Sequence, residues 1–195
     1  MRQVLFFSII VALILQACKK TPVSNPPLEP TKPAMVYKNL KNAIVSVGHP
    51  KTIDIENDGI SDFGFGVMLV GDPILQRDRL QFYVNSKVDR NLLNDEQDQS
   101  PMLNRSAIVS SNFPGYSWYQ ISHILLAEKI TNFSGSSWDG LWKNASHHYL
   151  PIQIKKNRKI YNGWIELSFD MTGEQLILHK AALSIEEDMD VRAGI

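Results

Sequence analysis

The residue types and spacing most suited to chemistry lie in Asp54-Ile55-Glu56-Asn57-Asp58-Gly59-Ile60-Ser61-Asp62, where a carboxylate recurs at every second position and a glycine follows the third. In a calcium loop that alternation aims hard oxygens at positions one, three and five toward one centre. Gly59 at position six permits the sharp turn, because a side chain there clashes at positive φ. Ile60 would offer its backbone carbonyl at position seven, and Asp62 falls at position nine. The candidate ligands for Ca2+ are therefore Asp54, Glu56, Asp58, Ile60 and Asp62. Position twelve, which carries a bidentate Glu in helix-flanked loops, is Phe65 within an extended segment. The affinity expected is that of extracellular modules, on the order of 10⁻⁴–10⁻³ M. A second reading stays open, an Asx-type turn in which Asn57 and Asp58 hydrogen-bond their own backbone.

Cys18 is the only cysteine, and its surroundings suit lipidation. It follows a basic start (Met1-Arg2-Gln3), an apolar run of 12 residues from Val4 to Leu15, and the tripeptide Leu15-Gln16-Ala17. That run matches a signal-peptide core and is too short to span a bilayer as a helix. A large apolar residue followed two places later by a small one resembles the lipobox of type II signal peptides. Gln16 stands where Ala, Ser, Val or Thr is usual. The expectation is removal of residues 1–17 and a membrane anchor built on Cys18. With that thiol committed, no disulfide and no His/Cys zinc cluster can form, so His147 and His148 are read as solvent-facing turn residues.

A third candidate is the Gly/Ser-rich stretch around Trp138, Asp139 and Trp142. Exposed indoles would stack on a pyranose face while Asp139 took its hydroxyls, which gives a glycan-binding alternative. Packing in a sandwich explains the same residues. No Gly-x-Ser-x-Gly elbow and no glycine-rich phosphate loop occurs, so no catalytic residue is assigned and an enzyme is not expected.

The 20 basic and 20 acidic residues give a formal charge of +0, which leaves no electrostatic footprint for nucleic acid. The expected partners are the membrane, through the anchor, and a glycan or another envelope protein. Stability must come from burial, for which four Trp, eight Phe and six Tyr are available.

These candidates need elements to position them. Residues 18–33 are proline-rich (Thr21-Pro22, Asn25-Pro26-Pro27, Glu29-Pro30, Lys32-Pro33) and read as a tether. At about 3.1 Å per residue in polyproline geometry it would reach on the order of 40–50 Å. Residues 34–195 then read as one domain. Short strands are expected at 43–47, 52–55, 63–70, 79–85, 107–109, 149–154, 159–169 and 175–182, divided by turn residues. Residues 86–101 read as a long polar loop, and 119–130 fits neither period. This pattern indicates an all-β fold, a single antiparallel β-sandwich of jelly-roll type.

Two segments carry a family resemblance. Thr52-Ile53-Asp54-Ile55-Glu56-Asn57-Asp58-Gly59-Ile60-Ser61-Asp62-Phe63-Gly64-Phe65 and Tyr161-Asn162-Gly163-Trp164-Ile165-Glu166-Leu167 resemble motifs of a group of Bacteroidetes lipoproteins and secreted domains. Asn162 departs from the usual Tyr-Gly-Trp, and Ala182-Leu183 replaces a late aromatic. The resemblance implies a β-rich envelope domain with a calcium-type loop and brings no enzyme activity. Gly163 is expected to leave bare backbone for the Trp164 indole. The localisation expected is the outer membrane, with the periplasmic face favoured because Lys19-Lys20-Thr21 lacks the acidic surface-export tag of that phylum.

Overall fold

The computed structural model describes residues 33–195. The signal segment, Cys18 and the tether up to residue 32 lie outside the described residues. Thirteen strands follow one another: β1 Met35–Val45, β2 Lys51–Ile53, β3 Phe63–Asp72, β4 Arg77–Ser86, β5 Arg90–Asn94, β6 Ile108–Val109, β7 Ser117–Gln120, β8 His123–Asn132, β9 Gly135–Asp139, β10 His148–Lys156, β11 Lys159–Asp170, β12 Gln175–Ser184 and β13 Val191–Arg192. No helix occurs among the described residues.

A six-stranded antiparallel sheet in the order β1-β12-β11-β10-β5-β7 packs on a five-stranded one in the order β2-β3-β4-β8-β9. The architecture is the expected all-β sandwich. It forms because apolar residues recur with period two and therefore share a face. Ile165, Leu167 and Phe169 of β11 point inward with Leu176 and Leu178 of β12, and meet Phe63, Phe65, Phe82, Ile124 and Leu126 of the other sheet. Phe82 and Phe169 stack edge to face across the two layers, their centroids 4.9 Å apart. Such a pair contributes about 0.5–1.5 kcal/mol beyond its burial. A smaller core lies outside the six-stranded sheet, where Trp164, Tyr149, Leu103, Val109 and Val191 are covered by β6 and β13.

Four readings of the sequence change here. Strand β1 begins at Met35, eight residues before the apolar stretch that announces it. Its first half is a half-exposed edge, and the register slips between Asn39 and Ala43, so alternation does not carry through. The segment read as one long loop holds β5, whose Leu92 and Leu93 are fully buried. The segment of unclear period is two strands, β7 and β8, interrupted at Ile121-Ser122. Gly163 is required by the next strand instead of by the Trp164 indole. A Cβ there would stand 2.3 Å from the Ala182 carbonyl oxygen.

Candidate functional site

The acidic loop is the connection between β2 and β3. Ile53 and Ile55 are buried and anchor it, as their alternation with Asp54 dictates, and Asp62 N–H donates to the Ile53 carbonyl at 2.7 Å to close it. Asn57 and Gly59 adopt left-handed φ of 60° and 84°, and the chain reverses there. Asp54 accepts from the amides of Asp58 at 3.2 Å and Gly59 at 2.9 Å. Asp58 Oδ1 accepts from the Ile60 amide at 2.8 Å. These are the short-range bonds of an Asx-type turn, and Asp54 and Asp58 make them where the sequence pointed to Asn57 and Asp58.

The other two carboxylates look elsewhere. Asp62 is 1% exposed. Its Oδ2 accepts from the Ile55 amide and its Oδ1 from Arg90 Nε, both at 2.8 Å. Burial pushes the Asp62 carboxyl above its ordinary value, and the Ile55 amide and Arg90 offset only part of that. Glu56 pairs with Lys156 of β10, and Asn57 with Lys38 of β1. Burial lowers the Lys156 ammonium. The four carboxylates thus each face a different donor. Among the described residues no three Asp, Glu, His or Cys gather as a metal-binding group. A calcium ion would have to displace Arg90 from Asp62 and Lys156 from Glu56 before it met the oxygens it needs.

The Trp138/Trp142 stretch is a correction. Trp142 is fully buried and donates its indole N–H to the Ser100 carbonyl at 3.1 Å. Trp138, on β9, packs edge-on against Phe169 at 5.1 Å and tilted against Phe82 at 6.0 Å. Gly140 makes this possible: its φ is 102°, and a Cβ would strike the Ala127 backbone at 2.7 Å. Asp139 stays outside, accepting only from the Gly140 amide nearby and lying 3.8 Å from Lys143. The indoles therefore present no paired platform to a sugar, because the core takes Trp142 and partly buries Trp138.

Sequence reasoning missed the partners that tertiary structure supplies. Arg90, the counter-ion of Asp62, lies on a strand read as loop. The outward face of β11 and β12 gathers a polar cluster. His147 stacks on His179 with centroids 4.2 Å apart, and its Nδ1 lies 2.7 Å from Glu166 Oε1. His179 bridges Asn42 Oδ1 at 2.7 Å and Ser168 Oγ at 2.8 Å. Burial and the neighbouring His147 lower the His179 imidazole, with Glu166 opposing. The adjacent histidines of the sequence do part company: His148 Nδ1 accepts from the Ser146 amide. Only the β10-β11-β12 register brings 147 and 179 together, and no local pattern signals it.

No protein-family model matches this chain, and neither does any curated protein or solved structure.

Proposed function

We propose that this chain is an envelope lipoprotein, anchored to the periplasmic face of the outer membrane through Cys18, whose β-sandwich serves as a binding or structural module. The observation that carries the reading is the order of segments: basic start, apolar run, Leu15-Gln16-Ala17-Cys18, proline-rich tether, then the strands that begin at Met35. Acyl chains contribute about 0.8 kcal/mol per buried methylene. Two or more chains hold a protein on a bilayer without a basic patch, which suits a chain with no excess of basic residues.

Within this reading the acidic loop is a clasp. Asp62–Arg90 and Glu56–Lys156 tie the β2–β3 connection to β5 and β10 of the facing sheet. The test of the anchor is metabolic labelling with a fatty acid in cells producing the parent or Cys18→Ser. The parent should be labelled and sediment with membranes, and the variant should carry no label. Label retained by the variant would overturn the anchor. Melting in millimolar calcium and in chelator is expected to give the same midpoint. A calcium-dependent rise abolished by Asp58→Ala would return the ion to the loop.

A further inference from the structure

One face of the clasp borders a recess of about 500 Å³. Three separate turns build it: the acidic loop with Ile60 and Ser61, the β4–β5 turn with Lys87 and Val88, and the β7–β8 turn with Ile121. Ile60, Val88 and Ile121 are 55%, 60% and 68% exposed, so three aliphatic side chains from distant parts of the chain converge while facing water. Single exposed apolar residues are ordinary, but convergence in a concavity marks a place that something apolar covers.

Three further features point to a ligand. Ile121 has φ of 53°. A β-branched residue is a true outlier in that region, and such strain persists where the surroundings over-determine it, often at binding sites. The hydroxyl of Ser61, which lines the recess, is buried with no hydrogen-bond partner. The walls are also set in advance. Ser86 N–H donates to the Ser122 carbonyl at 2.9 Å, Ser122 N–H to Ser86 Oγ at 3.0 Å, and Asp62–Arg90 pins the acidic loop alongside. A preformed concavity spends little ordering entropy on its ligand.

The charge of the lining selects the class. It carries two cations, Lys87 and Arg90, and no carboxylate. Asp62, behind the wall, balances Arg90 through its Nε and leaves Lys87 without a counter-charge in the recess. We infer that this recess binds a small amphiphile with an anionic head: its aliphatic body lies across Ile60, Val88 and Ile121, and its carboxylate meets Lys87. The inference rests on the binding-module reading and gives it a ligand class. Fatty-acid labelling tests the anchor and the titration below tests the recess, so a failure of one is told apart from a failure of the other.

The experiment titrates sodium octanoate, and separately 1-octanol, into the full chain carrying Cys18→Ser, which removes acyl chains that would compete. Backbone amide shifts are the readout. Octanoate should shift Ile60 to Asp62, Lys87 to Arg90 and Ile121 saturably, and bind about fivefold more tightly than the alcohol, with Lys87→Met erasing the difference. Ile121→Gly should melt no lower than the parent, because glycine relieves the positive φ, yet bind roughly tenfold more weakly. A residue placed there only for packing would show the opposite pair of results. If Ile121→Gly fails to fold, Ile60→Ser supplies the same loss of affinity. Absence of saturable shifts at these amides overturns the site, and equal affinity for octanoate and octanol overturns the anionic class.

Discussion

The acidic loop at 54–62 and the segment at 138–142 hold the same kinds of residue in opposite arrangements. In the first, the carboxylate of Asp62 is buried and the side chain of Ile60 faces water. In the second, the Trp142 indole is buried and the Asp139 carboxylate is 71% exposed. The second is what solvation free energy favours by default. The first requires a reason at each position. Asp62 can stay inside because Arg90 and the Ile55 amide reach it, and a buried charge is tolerated only when paired and hydrogen-bonded. Ile60 stays outside, where it borders a recess shared with two other exposed aliphatics. The contrast teaches that residue type decides position only where no partner from another strand intervenes.

The largest effect expected is at the conventional end. Trp142→Ala should destabilise the domain by about 3–5 kcal/mol, since it empties a fully buried site and orphans the Ser100 carbonyl. Denaturant unfolding checks this. A loss under about 1 kcal/mol would mean that the indole is peripheral after all.

The inverted end breaks differently. Arg90→Ala leaves Asp62 buried without its cation, at a cost of about 2–3 kcal/mol near neutral pH, below the usual range for a broken buried pair because Asp62 can protonate. The sign follows from linkage. The folded-state value for Asp62 is raised above the ordinary 3.8, so the proton is held more tightly in the folded state. The contribution of Asp62 to stability is fullest below 3.8 and declines as pH rises through the folded value. Removing Arg90 deletes two influences that lower that value, so the window widens upward. The gap between variant and parent should therefore narrow on acidification from about pH 7 to about pH 4. A gap of constant size across that range would show that Asp62 is not the group left stranded.

The smallest effects separate the two turns. Asp54→Ala removes the acceptor of two backbone amides and should cost about 1 kcal/mol. Asp139→Asn keeps its single amide acceptor in solvent and should change stability by no more than about 0.5 kcal/mol. Equal losses would erase the distinction between a carboxylate that organises its loop and one that decorates a turn.

Much of the sandwich was legible. Strands β3, β4, β10, β11 and β12 were readable because they are long runs rich in β-branched, aliphatic and aromatic residues, and their turns carry Gly, Asn and Pro; β10 is buried on both faces from Tyr149 to Ile154, so alternation did not mark it. Strand β5 escaped because Arg90 to Asn94 is five residues with adjacent leucines and no alternation. Strand β1 escaped because an edge strand with a slipped register has only half its apolar face. At the site, the Asx geometry of Asp54 and Asp58 was within reach of sequence, since it depends on neighbours two to five residues away. The Asp62–Arg90 pair, 28 residues apart, was not.

The sequence alone determined an all-β domain, a chain of formal charge +0 and a loop able to turn at Asn57 and Gly59. These depend on period, composition and short-range backbone geometry, all written locally. Tertiary structure alone decided where Asp62 and Glu56 point. It sent Asp62 to Arg90, Glu56 to Lys156 and Trp142 into the core, and it set Ile60, Val88 and Ile121 side by side. Those outcomes depend on strand register and sheet packing, which bring together residues that no local spacing relates.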